Sequence, residues 1–259
     1  MKKQIRDFQV NVEARGSGEA VVFVHGLGGD LNIWHSQVNV CSRSMRTITY
    51  DLRGAGKTDV HPPEYSIDLL VEDLKSVLDN ESIESAHLVA HSMGTLIVEH
   101  FAVRYPEAVK SLTLVGGFTE PPEGARKALG DRSTVVREKG MEAVADAILE
   151  GGFSSYTKHS NQAMLGMVRS LLLSNDPEGY AALCRALADA RSIKHQEVSV
   201  PVLLIVGDED KTTPLAMSKA LYKNFPNAEL VVLPNCGHWA TLESADEVNR
   251  ALLKFYHTI

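Results

Sequence analysis

The chain predicts an α/β fold: a mostly parallel, twisted sheet of about eight strands flanked by helices and interrupted by an inserted helical cap. Three observations carry this reading. From about residue 20 to residue 116, short β-branched runs alternate with longer helical patterns, which is the order a parallel sheet covered by helices requires. The centres of these runs are near-continuous Val, Ile and Leu, as expected of strands buried on both faces. From Phe118 to about Gln196 the strand pattern stops, and it resumes at Val200-Pro201-Val202.

Taken in order, residues 4–14 and the turn Gly16-Ser17-Gly18 predict a leading antiparallel hairpin. The remaining strands are placed at 20–25, 46–51, 87–91, 111–115, 202–206 and 229–233. Ser66 can cap a helix over 67–78 by accepting a first-turn N–H. A helix over 93–105 stops before Pro106, because proline disfavours helical geometry in the residue before it. Within the insertion, helices are predicted over 141–149 and 161–172, and another opens at Asn175-Asp176-Pro177, where a first-turn proline is tolerated. The chain therefore reads as one domain over 1–259, with core segments 1–117 and 197–259 and a cap over 118–196.

A chain of 259 residues, 44% apolar and 23% charged, can bury one large core. Its formal net charge of −7 offers no basic field to a phosphate backbone or an anionic bilayer, so neither nucleic acid nor membrane is expected as a partner. The stretch from Met1 to Phe8 starts basic but reaches Asp7 without an apolar run, which does not read as a secretory leader. No segment approaches the roughly 18 apolar residues that span a bilayer. Cys41, Cys184 and Cys236 lie far apart, and their odd number argues against a disulfide framework. A reducing, cytoplasmic setting is expected, and the sequence carries no signal for an oligomeric state.

The chemistry concentrates at three loops. Ala90-His91-Ser92-Met93-Gly94 stands where a buried strand gives way to a helix, the context of a nucleophile elbow. That turn is tight, so the positions two before and two after the serine must be small; Gly94 meets this and Ala90 nearly does. A serine hydroxyl needs a base to take its proton and a carboxylate to orient the base. Asn235-Cys236-Gly237-His238-Trp239, after the last strand, supplies His238. The loop after the preceding strand offers three carboxylates, Asp208, Glu209 and Asp210. An anion site for a tetrahedral intermediate needs two backbone N–H donors; Met93 follows the serine, and Gly26 in His25-Gly26-Leu27 lets the Leu27 N–H turn toward the same point.

Together His25-Gly26, Asp51-Leu52-Arg53-Gly54-Ala55-Gly56, the elbow, the segment from Gly207 to Pro214, and Gly237-His238 resemble the α/β-hydrolase superfamily over nearly the whole chain outside the cap. The resemblance implies the α/β-hydrolase fold and the chain order Ser, Asp, His. It also selects Asp210 over Asp208, by its place in Gly-x-x-Asp-x-x-x-Pro. Within the cap, the stretch from Asn175 to Cys184 is similar to 3-oxoadipate enol-lactonases, although Thr95 stands where those usually carry another glycine. Haloalkane dehalogenases and epoxide hydrolases of this fold place aspartate where Ser92 stands.

Other features have plainer readings. Gly56-Lys57-Thr58 looks like the end of a phosphate-binding loop, but the first glycine would fall at Asp51, whose carboxylate repels phosphate. His25 and His91 read as residues that shape the site by hydrogen bonds, since they lack a metal-ligand partner pattern. Cys236 reads as a packing residue. Trp34 fits core or pocket wall equally. The cap's Arg132, Arg137, Lys158, Arg185 and Arg191 read as solvated faces, any one of which could instead meet a substrate carboxylate. His25, Gly26, Trp34, His91 and Trp239 are the candidate substrate contacts.

The expected function is hydrolysis of small carboxylic esters or lactones through an acyl-enzyme on Ser92, with no cofactor or metal. The same triad serves C–C bond hydrolysis of a diketone and perhydrolysis, and a ligand receptor can retain the fold.

Overall fold

In the computed structural model, which describes residues 2–6, 8–60 and 64–259, the chain opens with antiparallel strands β1 (Lys2–Ile5) and β2 (Phe8–Arg15). There follow β3 (Ala20–Val24), α1 (His35–Cys41), β4 (Arg46–Tyr50), α2 (Ile67–Asn80), β5 (Ala86–His91), α3 (Met93–Arg104) and β6 (Val109–Val115). Five helices then run without a strand: α4 (Glu123–Lys139), α5 (Glu142–Gly152), α6 (Ser155–Ser160), α7 (Gln162–Leu173) and α8 (Pro177–Asp189). The sheet resumes with β7 (Val202–Gly207), α9 (Leu215–Asn224) and β8 (Ala228–Leu233), followed by α10 (Ala240–Glu243) and α11 (Ala245–Thr258). Among the described residues the sheet has eight strands in the order β1-β2-β4-β3-β5-β6-β7-β8. Every neighbour pair from β4 to β8 is parallel, as the sequence predicts. The central strands β3, β5 and β7 are buried along their whole length, which accounts for the apolar runs of β3 and β7 and the Leu88-Val89-Ala90 centre of β5.

The leading segment differs from the predicted hairpin. The chain turns at Arg6, so 4–14 is divided between two strands; Asp7 lies outside the described residues. Gly16-Ser17-Gly18 does not close a pair between the strands it joins, because β2 lies against β4, with Val12 opposite Tyr50. Gly16, at φ +74°, carries the chain so close to the carbonyls of Ser42 and Met45 that a side chain would collide with them. This close passage lets β3 enter on the far side of β4.

Helix ends follow their capping chemistry. The Ser66 Oγ accepts from the Leu69 N–H at 3.1 Å, and α3 stops one residue before Tyr105-Pro106. In the insertion the Asn161 side chain accepts from the Met164 N–H at 3.1 Å, and Asp176 accepts from the Glu178 and Gly179 N–H groups at 2.9 and 3.0 Å. The longest insertion helix, α4, has no counterpart among the helices read from sequence. It buries only Leu129, Ser133 and Val136, a stripe too thin to stand out as periodicity.

The insertion rests on loops at the carboxyl ends of the strands. A Cβ on Gly179 would lie 2.9 Å from the Gly54 Cα, and one on Gly28 would lie 2.8 Å from Leu172 and 3.2 Å from Tyr180. Beneath it, the buried Asp51 carboxylate accepts from the Leu31 and Lys57 N–H groups and from the Asn11 amide, each at 2.8 Å. That carboxylate ties the loops after β3 and β4 together. Among the described residues no helix is long and apolar enough to cross a membrane.

Candidate active site

Ser92 lies between β5 and α3 with φ 52° and ψ −122°, a left-handed strained conformation that costs of order 1–3 kcal/mol in a non-glycine residue. Its surroundings hold it there. The Ser92 N–H donates to the Val115 carbonyl at 2.9 Å, and the Thr95 N–H donates back to the Ser92 carbonyl at 2.8 Å. A Cβ on Gly94 would meet the carbonyl oxygens of Val24 and His25 at 2.5 and 2.7 Å. The demand for a small residue at 94 therefore comes from the end of β3.

The three side chains read from sequence converge. His238 Nε2 lies 2.9 Å from Ser92 Oγ, and His238 Nδ1 lies 2.9 Å from Asp210 Oδ2. With the Nδ1 proton directed at the carboxylate, Nε2 presents a lone pair to the serine hydroxyl. Burial alone would raise the Asp210 carboxyl, but the His238 ring and hydrogen bonds from Thr213 outweigh it and hold it below its ordinary range. Asp210 thus stays ionised beside the imidazole at neutral pH. Asp208 does something else: its Oδ1 accepts from the Cys236 N–H at 3.2 Å and braces the histidine loop.

Gly26 brings the loop after β3 against the serine. A Cβ there would lie 2.8 Å from Ser92 Cβ and 2.9 Å from the His91 carbonyl oxygen, so the turn carrying Leu27 runs beside the nucleophile. Met93 opens α3, and a first-turn N–H has no partner in its own helix and sits in the positive end of the helix dipole. Leu27 and Met93, the two backbone donors read from sequence, thus lie on the chain segments that flank Ser92.

The candidate contact residues divide. His25 donates from Nδ1 to the Gly26 carbonyl at 2.8 Å, and its Nε2 accepts from the Leu52 N–H at 2.9 Å, so its ring braces two loops. Trp34 is fully buried and packs on Phe23 at 5.2 Å between ring centroids, the core side of its two readings. Trp239 is buried between His91 at 5.6 Å and Phe153 of the insertion at 6.3 Å. Of the cap cations, Arg137 and Lys158 pair with Glu178 and Glu150 at 3.0 and 2.6 Å, Arg185 and Arg191 are exposed, and Arg132 is half-buried near the Tyr180 hydroxyl.

His91 donates from Nε2 to the His238 carbonyl at 2.8 Å, while its buried Nδ1 has no hydrogen-bond partner among the described residues. Burial, reinforced by the neighbouring His238 ring, pushes its imidazole down to about 3. In an unfolded chain a histidine titrates near 6.5. The folded value is the lower one, so the unfolded state takes up the extra proton; this stability is present above pH ~6.5 and is lost as pH falls toward ~3. Between pH 6.5 and 4.5 the wild type is expected to lose about 2 kcal/mol more stability than His91→Gln, which keeps an N–H donor. Urea midpoints at the two pH values measure the difference, and equal losses would refute it.

Sequence reasoning named Glu209 only among the candidate acids and missed that it and Glu243 fasten the insertion to the site. Glu243 accepts from the Gly237 N–H at 3.0 Å and from the Ser154 N–H at 2.9 Å, and Glu209 accepts from the Ser155 N–H at 2.8 Å. The His238 N–H itself donates to the Gly152 carbonyl at 2.7 Å. No local pattern marks these pairs, which, apart from Gly237 with Glu243, join residues far apart in the chain. Thr213, three residues after Asp210, did have a signal, the spacing at which an acid and a hydroxyl share a turn. Among the described residues no group of three or more His, Cys, Asp or Glu side chains could hold a metal ion.

A family model described as alpha/beta hydrolase fold matches residues 19–140 and 144–245. The chain is 28% identical over 250 residues to 3-oxoadipate enol-lactonase 2 of Acinetobacter baylyi, covering 95% of this chain and 92% of that one. It is 34% identical over 267 residues to a 2-hydroxy-6-oxononadienedioate/2-hydroxy-6-oxononatrienedioate hydrolase of Burkholderia vietnamiensis, covering 96% and 91%. The fold superposes on the crystal structure of the enol-lactonase from Burkholderia xenovorans with a TM-score of 0.92 at 26% identity, covering 99% of this chain and 100% of that one. On a thermophilic esterase from Thermogutta terrifontis the TM-score is 0.95 at 24% identity, covering 100% and 98%.

Proposed function

The chain belongs to the α/β-hydrolase family, and from that premise we propose that it is a serine hydrolase of small carboxylic esters or lactones, acting through an acyl-enzyme. The observation that carries this reading is the unbroken relay of 2.9 Å contacts from Ser92 Oγ through His238 to Asp210 Oδ2. Ser92 attacks the carbonyl carbon as His238 Nε2 takes its proton, and the oxyanion rests on the Leu27 and Met93 amides. The imidazolium returns the proton to the leaving oxygen; water, deprotonated by the same nitrogen, then releases the acid. Asp210 stabilises the imidazolium and fixes the ring, remaining a carboxylate throughout.

The working unit is a single domain over 1–259, whose core segments 1–117 and 197–259 carry the triad and whose insertion, 118–196, selects the substrate. The three cysteines are free and buried, which fits a reducing, cytoplasmic setting.

A second reading, hydrolysis of a C–C bond beside a ketone, is favoured by the relative of that named activity at 34% identity over 96% of the chain. Side-by-side kcat/KM values for short acyl esters, small lactones, 3-oxoadipate enol-lactone and a vinylogous diketone, each with a Ser92→Ala control, separate the two. Highest turnover on an ester or lactone is expected. Highest turnover on the diketone would move the assignment to C–C hydrolysis, and tight binding with almost no turnover would make the chain a receptor.

A further inference from the structure

Thr213 lies at the far end of the triad and is buried. Its Oγ1 donates to Asp210 Oδ2 at 2.8 Å and lies 3.2 Å from His238 Nδ1. Its N–H, with that of Thr212, donates to Asp210 Oδ1, each at 2.8 Å. A hydroxyl has one proton and two lone pairs. Because the proton is committed to Asp210, the side of Oγ1 facing the imidazole is an acceptor. His238 Nδ1 is therefore met by two oxygens that can only receive its proton. Gly116, at φ +61°, leaves this corner clear: a Cβ there would press on Thr213 Oγ1 at 3.1 Å and on His238 Cε1 at 3.3 Å.

We propose that Thr213 is a positioning residue that locks His238 in the Nδ1–H tautomer, its hydroxyl serving both as a donor that aims the Asp210 carboxylate and as a second acceptor for the imidazole proton. The inference rests on the hydrolase reading of Ser92, His238 and Asp210. An Nε2–H imidazole cannot accept the serine proton, so each molecule in that tautomer is idle; the lock acts on the fraction of competent enzyme and hence on kcat. Substrate binding is untouched, because Thr213 acts from behind the ring.

The test compares wild type with Thr213→Val, which keeps the shape and removes the hydroxyl, and Thr213→Ser, which keeps the hydroxyl. On p-nitrophenyl acetate the valine variant should lose about tenfold in kcat with KM unchanged, the lower range for losing a hydrogen bond to a charged group. Thr213→Ser should recover most of that loss. In proton NMR of the resting protein, the low-field His238 Nδ1–H resonance should shift or broaden in Thr213→Val and return in Thr213→Ser. Thr213→Ala replaces the valine variant in every comparison if the latter does not fold. Wild-type kcat without the hydroxyl, an unmoved resonance, or a loss that serine does not restore would each overturn the proposal. Failure of the underlying reading is distinct: Ser92→Ala would then turn over the ester as fast as wild type, whatever the resonance does.

Discussion

Ser92→Ala is expected to lower kcat on a small activated ester by about 10⁴- to 10⁶-fold, the range seen when a serine nucleophile is removed from a working triad. The loss should fall on kcat. The chain around position 92 is held by backbone groups, namely the Val115 carbonyl, the Thr95 N–H and the carbonyls crowding Gly94, and alanine keeps all of them. The variant should therefore unfold at nearly the wild-type temperature, so inactivity cannot be put down to a damaged fold. Under the proposed mechanism, residual turnover above the uncatalysed rate is expected from the Leu27 and Met93 amides, which the substitution leaves unaltered as donors to an oxyanion formed by water attack. Covalent labelling gives a second readout: a fluorophosphonate should phosphonylate the Ser92 Oγ of wild type, with loss of fluoride, and leave Ser92→Ala unmodified. Turnover within tenfold of wild type, or labelling of the alanine variant, would remove Ser92 from the mechanism.

The sequence made the sheet and the candidate triad legible for different physical reasons. A parallel strand buried on both faces is mostly apolar, so β3 and β7 stand out as runs, as does the Leu88-Val89-Ala90 centre of β5. A strained serine between strand and helix needs a small neighbour, which made Ala90-His91-Ser92-Met93-Gly94 readable. What stayed hidden depends on contacts between distant residues. Nothing near Gly16-Ser17-Gly18 reveals that β2 will lie on β4, because the pairing is set by Val12 meeting Tyr50. Nothing near Glu243 reveals that it will accept from Ser154, 89 residues earlier in the chain. Helix α4 was obscured by composition, since a surface helix that buries only Leu129, Ser133 and Val136 resembles a polar linker. Trp34 and Trp239 illustrate the limit for single residues: both are buried indoles, yet one packs on Phe23 in the core and the other between His91 and the insertion.

Asp210→Asn is expected to cost about 10⁴-fold in kcat, as neutralising the acid of a serine triad does by stranding the histidine in the wrong tautomer. The geometry decides which way the new amide points. The Thr212 and Thr213 N–H groups both donate to the Oδ1 position at 2.8 Å, and only a carbonyl oxygen can receive them. The asparagine NH₂ is thereby forced to the Oδ2 position, 2.9 Å from His238 Nδ1. Facing a donor, Nδ1 must present its lone pair, so the ring proton moves to Nε2 and the imidazole can no longer accept from Ser92. Asp208→Asn is the matched control, because its Oδ1 only receives the Cys236 N–H and an amide oxygen does the same. That variant should stay within a few-fold of wild type, since one neutral hydrogen bond replaces a charge-assisted one away from the relay. Paired kcat and KM values on the same ester, with thermal midpoints for both variants, carry the comparison. If Asp208→Asn proved inactive while Asp210→Asn kept most of its turnover, the acid would have to be reassigned to position 208, and with it the explanation of why His238 faces Ser92 with a bare nitrogen.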